Sequence, residues 1–268
     1  MLEWLGANIL PIVIGIIPSL VGSYLFLRWQ RWQKNKPLSQ ILNFRSEKLI
    51  FIFPHRDPEP KAILPRAATE DFLAVNNFIS ALLKIGEEKQ IIAKDTKHVR
   101  EADRNANLVI ICSPKSNTFS KELQETLLKK GYDKIYRFEP IQGTPNRWRI
   151  ADEIGQYPSP SYDQMETFKE QEIPDKLIPQ QRFEDVAVIN KVINPWDPGS
   201  YIFIVAGIRG FGTWGAAECL KRKWKDIYNH PNLKDKTGEF SALLHITYQD
   251  FDIVQIEVHN VKQPLRKS

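Results

Sequence analysis

Three times along the chain a short apolar run stops at a turn bearing proline or glycine and gives way to a segment with helical periodicity. The runs are KLIFIFPHR (48–56), NLVIICSPKSN (107–117) and YIFIVAGIRGFGTWG (201–215). Runs that are apolar at successive positions, without alternation, suit strands buried on both faces, as in a parallel sheet covered by helices. After the first run Thr69 offers an N-cap, and Glu70 and Asp71 fall in the first turn, where the helix dipole favours acids. Phe72, Val75, Ile79, Leu82 and Leu83 then hold one stripe up to Gly86. After the second run, FSKELQETLLKKG keeps Phe119, Leu123, Leu127 and Leu128 on one face. The alternation predicts an α/β protein whose residues 48–262 form a Rossmann-like, mostly parallel sheet with covering helices.

The remaining segments add to that frame. QIIAKD (90–95) reads as a short strand and READRNA as a helical turn, while residues 131–184 read as short strands or a hairpin followed by an exposed loop. DVAVINKVINPWDPGSYIFIVA places two strands around NPWDPG, a run of turn residues, so an antiparallel hairpin is expected beside the parallel strands. FSALLHITYQ and FDIVQIEVHN supply two more alternating strands.

Ahead of this domain, Trp4 to Leu27 is a stretch of 24 residues without a charge, and about 20 suffice to cross the hydrocarbon core. Residues 1–29 are therefore expected to form a single transmembrane anchor, and residues 30–47 a juxtamembrane linker. The acidic Glu3 and the RWQRWQK sequence after the apolar run argue against a cleaved signal peptide. Arg28, Arg31, Lys34 and Lys36 all follow the span, which orients the C-terminal domain to the cytosol of an inner (cytoplasmic) membrane. Gly15, Ser19 and Ser23 recur every four residues, a face on which a second copy of the helix could pack. The alternative for those small residues is that they are only common in spans, with Pro11 and Pro18 bending the helix.

Composition narrows the partners. Lys and Arg outnumber Asp and Glu by 37 to 32, a mild excess that suits an anionic ligand or a membrane surface and falls short of a dedicated nucleic-acid binder. In KRKWKD (221–226) the tryptophan lies on the apolar stripe with Leu220 and Tyr228, so its cations read as a solvated face and nucleic acid is not the expected partner. Two cysteines give no disulfide framework. Five histidines without ligand spacing give no expected metal site.

Candidate ligand contacts lie where the apolar runs end. GFGTWG (210–215) spells GxGxxG between a strand and a helix, where free amides and the helix dipole attract a phosphate or carboxylate. Gly207, Gly210, Gly212, Thr213 and Gly215 would form the cradle and Arg209 would add a fork of donors. The unit stands near the end of the domain and lacks the acid expected about twenty residues on, which argues against a dinucleotide site. Anion binding and a purely structural turn both remain open. Ser113, Lys115, Ser116 and Asn117 in the second loop, with His55 and Arg56 after the first strand, could share one crevice with it, because ligands of open α/β sheets collect at strand carboxyl ends. For catalysis the candidates are Glu70 and Glu218, either of which could serve glycosidic-bond cleavage at a nucleotide or act only as a solvated helix acid.

The runs LIFIFPHR, NLVIICSPKSN and FIVAGIRGFGTWGAAECL are similar to those of a loosely defined group of bacterial Rossmann-like sensor domains joined to membrane spans or signalling modules. The resemblance covers most of residues 48–258 and is carried by Ser113, Lys115, Ser116 and Asn117 and by Gly207 to Gly215. It implies a sensor or effector that binds a nucleotide-like ligand in stress or antiviral defence. The competing expectations are a nucleotide or nucleoside N-glycosidase, and a non-catalytic scaffold subunit of a membrane complex.

Overall fold

The computed structural model describes residues 23–30, 32–44, 46–55, 68–86, 89–144, 146–163, 182–250, 252–263 and 265–266. Residues 23–30 and 32–41 are helical and together are called α1. Then follow β1 (Lys48–Phe53), α2 (Thr69–Ile85), β2 (Gln90–Asp95), two short 3-10 turns, β3 (Asn107–Ile111) and α3 (Thr118–Lys129). Three short strands come next, β4 (Arg137–Pro140), β5 (Trp148–Ala151) and β6 (Gln156–Pro158). The chain continues with β7 (Arg182–Ile193), β8 (Tyr201–Gly207), α4 (Gly210–Glu218), a π-helical turn (Cys219–Lys223), α5 (Trp224–Tyr228), β9 (Phe240–Gln249) and β10 (Asp252–Lys262).

Seven strands make one sheet in the order β10-β9-β7-β8-β3-β1-β2, and β4-β5-β6 make a separate antiparallel sheet. The β2, β1, β3 and β8 strands pair in parallel, and β7, β9 and β10 continue the sheet antiparallel. Five of the seven thus point one way, and the α/β architecture is as the periodicity implies. The expected hairpin around NPWDPG is β7–β8, with Ala187 opposite Gly207 and Ile193 opposite Tyr201.

Alternating side chains split the core between the two faces. On one face Leu49, Phe51, Val109, Ile111, Phe203 and Val205 pack against α1, α2, α4 and α5. On the other, Ile50, Ile52, Leu108, Ile110, Ile202 and Ile204 pack against α3 and the small sheet. The arrangement has three layers, with β1 leading to a helix on one face and β3 to a helix on the other.

The N-terminal segment differs from its expected role as a linker. Leu38, Ile41 and Leu42, at the i, i+3, i+4 spacing of one helical face, are fully buried. Phe44 follows them, its ring 5.1 Å from Phe203 and 6.2 Å from Phe78. Each such aliphatic side chain contributes about 1.5–3 kcal/mol on burial, so this end of α1 belongs to the domain core. Of the expected membrane anchor, residues 1–22 lie outside the described residues, Gly15 and Ser19 among them, and Ser23 opens the described helix. Among the described residues no helix is long and apolar enough to cross a membrane.

Candidate functional site

The carboxyl ends of β8, β3 and β1 are consecutive along one edge of the sheet. The strand order reverses between β1 and β3, since β1 passes through α2 to β2 on one side while β3 lies on the other. Such a switch point leaves a crevice because the following helices diverge to opposite faces. His55, the SPKSN loop and the glycine loop therefore stand at neighbouring strand ends. Arg56 lies outside the described residues. Because β7 runs antiparallel to β8 and β9, its amino end brings Phe183 and Asp185 to the same edge, and the carboxyl end of β9 brings Tyr248.

The glycine loop is not an open cradle, because an internal acid occupies it. Asp185 Oδ2 accepts the backbone N–H groups of Arg209 at 2.9 Å and Gly212 at 3.1 Å, filling the N-terminus of α4 from the neighbouring strand. The glycines are there for close approach. A Cβ at Gly207 would overlap the main chain of Gly212, one at Gly212 would overlap the Asp185 carboxyl, and one at Gly215 would come within 2.5 Å of Ile246. Thr213 fastens the turn: its Oγ1 accepts from Gly207 N at 3.0 Å and donates to Arg209 O at 3.4 Å. Of the residues expected to cradle a ligand, Gly207, Gly212, Thr213 and Gly215 thus serve the turn. Gly210 backs the Glu70 side chain, about 3.1 Å from where a Cβ would stand.

The SPKSN loop divides in the same way. The backbone N–H groups of Ser116 and Asn117 donate to Ser113 O, closing a turn. Asn117 is fully buried; its side chain caps α3 by accepting from Ser120 N at 3.0 Å and ties the strand ends by donating to Ile111 O at 2.9 Å. Its role is structural. Ser113 is buried, and Lys115 and Ser116 are exposed on the edge. Just before the loop, Cys112 holds a positive φ of 79°, a strained position for a side-chain-bearing residue, with its thiol 2.7 Å from the buried carboxylate of Asp71 at the start of α2.

At the end of β1, His55 Nδ1 lies 3.1 Å from Asp95, which also meets His98 Nδ1 at 2.6 Å and accepts the N–H groups of Lys97 and His98. Burial tends to raise the Asp95 pKa, but the bonds from His55 and His98 outweigh it and hold the carboxyl below its ordinary value. A carboxylate only accepts, so each imidazole donates to Asp95 from Nδ1.

Three cations meet on one ring at this edge. Arg209 and Arg147 each stand 5.0 Å from the centre of the Tyr162 ring, and Lys115 stands 5.9 Å away. They come from the β8 end, the turn before β5 and the β3 end. Tyr162 is held there by its hydroxyl donating to Asn146 O at 3.0 Å, and Arg209 Nη1 approaches Tyr162 O at 3.4 Å. Asp163 pairs with Arg147. Nearby, Ser161 Oγ accepts from Glu184 N and Ser159 Oγ donates to Glu184 O, fixing this segment along β7.

The two candidate catalytic acids part company. Glu70 stands at the edge, beside Gly210 and within electrostatic reach of Tyr248. Glu218 lies buried at the far end of α4, ion-paired with Arg222 and with Lys221 at 3.7 Å, so it is a helix-packing acid away from the crevice. Sequence reasoning misses Asp185, Tyr248, Tyr162 and Arg147. One of them leaves a trace: Asp185 interrupts the otherwise apolar run VAVI in EDVAVIN on its amino side, where a solvent-facing acid is the ordinary reading. Tyr162 and Arg147 sit in polar stretches that give no such signal. No protein-family model matches the chain and no curated protein matches it, so the likeness to sensor domains stays an expectation and function follows from the geometry of the edge alone.

Proposed function

We propose that the chain is a sensor, tethered to a membrane by its apolar N-terminal segment, whose cytosolic α/β domain binds an anionic, nucleotide-like small molecule at the carboxyl edge of β8, β3 and β1. The observation that carries this reading is the meeting of Lys115, Arg147 and Arg209 around Tyr162 at a topological switch point. Three cations brought within about 6 Å of one ring, with one acid, Asp163, paired to Arg147, leave a net positive potential that favours phosphate oxygens. The ring itself offers a plane against which a base or ribose can lie. The glycine loop takes part by presenting Arg209, its own amides being engaged by Asp185.

Signal transfer follows from where α1 ends. Asn35 Nδ2 donates to Lys84 O in α2 at 2.6 Å, and Tyr228 at the end of α5 donates to Gln40 Oε1 at 2.8 Å. The amino ends of α2 and α4 line the edge, and the carboxyl ends of α2 and α5 grip α1. A ligand moves α1 to the extent that it binds two arrangements of these helices with different affinity. The test is calorimetry on the full chain in mild detergent with ribonucleotides, NAD and inorganic pyrophosphate. Binding is expected, weakened about tenfold or more by Arg209→Ala and by Lys115→Ala, as for loss of a charge-assisted contact. Absence of binding by every probe, or binding indifferent to both substitutions, overturns the reading.

A further inference from the structure

We infer that Asp185 and Tyr248 form a subsite for the hydrogen-bond-donating part of the ligand, a ribose hydroxyl pair or a nucleobase amino edge, beside the cationic cluster that takes its phosphate. The inference rests on the anion-binding reading of this edge and names the ligand class further: a nucleotide rather than a bare phosphate or dicarboxylate.

Asp185 uses one oxygen to accept two backbone N–H groups of the glycine loop, and its other oxygen, Oδ1, is buried with no hydrogen bond among the described residues. Ser159 is near enough to ease that burial, but its hydroxyl donates to Glu184 O instead. On the adjacent strand the Tyr248 hydroxyl is also buried with no hydrogen bond among the described residues. Buried polar groups are nearly always paired, so two unpaired ones at one place call for a cause. The strand register brings them together. Phe183 lies opposite Tyr248 and Asp185 opposite Ile246, so Asp185 and Tyr248 are diagonal neighbours on the same face of the sheet, within reach of a long aromatic side chain.

Their surroundings fit a sugar or base. Tyr248 is raised in pKa by burial first and then by the charge of Asp185, with Arg209 opposing and Glu70 adding to the rise, so these charges are felt at its hydroxyl. Phe211 lies flat on the Tyr248 ring, centroids 4.3 Å apart and planes within 4°, and Phe183 stacks beside it at 5.7 Å. Tyr248 thus stands diagonal to a carboxyl with a spare acceptor, its ring stacked on two others, within the electrostatic reach of Glu70 and of Arg209, which also faces Tyr162. Acceptors in that number select a partner rich in donors. The covering segment Ser159–Tyr162 joins the subsite to the cationic cluster, since it carries both Ser159 and Tyr162.

The test uses the full chain in mild detergent with two probes, a ribonucleotide series and inorganic pyrophosphate. Asp185→Asn turns the spare acceptor into a donor, and Tyr248→Phe removes only the hydroxyl. Each is expected to weaken nucleotide binding about tenfold, leaving pyrophosphate binding unchanged, while Lys115→Ala weakens both. Nucleotide binding as in the unsubstituted chain by both variants overturns the subsite and leaves the edge reading standing, as does binding of pyrophosphate with no nucleotide bound. Binding of neither probe overturns the edge reading, and this inference with it. Should Asp185→Asn fail to fold by circular dichroism, Tyr248→Phe decides.

Discussion

Asp185 sits where a carboxyl group meets two opposing demands. Two amides at the start of α4 favour its charge, but burial outweighs them and pushes its pKa up to about 6. The native state therefore holds this proton more tightly than the unfolded chain does, so the penalty is absent at acid pH and develops as pH rises from the ordinary carboxylate range through about 6. Ionising a carboxyl held that far above its ordinary range costs the native state roughly 3 kcal/mol. Asp185→Asn removes the ionisation while keeping the shape. The stability difference between variant and unsubstituted chain is expected to move in favour of Asn by about 2–3 kcal/mol between about pH 4 and about pH 7.5, read by denaturant unfolding at the two pH values. A difference that stays constant with pH would show that this carboxyl is not the linked group. No pattern in the sequence marks the role, because it exists only once β7 is laid antiparallel beside β8 and the carboxyl reaches across to a neighbouring turn.

Elements with local causes are legible in the sequence. The β1 and β8 strands stop at Pro54 and Gly207 and β3 stops shortly before the turn at Pro114, and α2 and α3 form where their periodicity places them. The buried face of α2 is nevertheless rotated from the expected stripe, with Phe72 and Leu83 exposed and Ala74, Phe78, Ala81 and Leu82 buried, while α3 buries Phe119, Leu123 and Leu127 and leaves Leu128 partly exposed. Strand order is different in kind, since it is set by pairings between residues far apart in the chain, such as Leu108 with Ile202. That order is also what gathers the three strand ends, so the site is readable as separate loops and not as one place. The segment around Pro37 misleads for a related reason. A proline, flanking cations and polar residues suggest a connector, while the Leu38–Ile41–Leu42 spacing gains meaning only when Phe78 and Phe203 are there to receive it. Pro37 lies within the helical run, and Ser39 Oγ donates to the Lys36 carbonyl at 2.7 Å. Ile41→Ala is expected to cost about 2–5 kcal/mol and Phe44→Ala about 3–5 kcal/mol, measured by chemical denaturation. A connector would lose no more than about 0.5 kcal/mol, as exposed sites do, and such a result would return the segment to the role of a linker.

At the scale of the molecule, α2 spans from the carboxyl edge of β8, β3 and β1 to the N-terminal helix α1. Its first turn carries Glu70 and Asp71 at the crevice, and its last turn meets Asn35 through Lys84 O. The Lys84 ammonium donates to Lys221 O within the π-helical turn, at 2.6 Å, and Lys221 reaches back to Asn77 at 3.0 Å. A π-turn is a one-residue register shift held in a helix, and such turns concentrate at functional sites. The α4–α5 unit thus begins at Arg209, contains this turn, and ends at Tyr228 on α1. Any ligand that draws on Arg209 loads one end of a packed element whose other end holds Gln40. Coupling of this kind needs two discrete arrangements with different affinity, and their difference shows in local opening. Hydrogen exchange on the full chain, with and without a nucleotide that binds at the edge, is expected to change protection at residues 38–44 and 219–228 as well as around 207–213. Arg209→Ala is expected to abolish all three changes together. If protection changed only at the edge while binding was saturated, the domain would bind its ligand without passing its state to α1, and the molecule would be a receptor rather than a sensor.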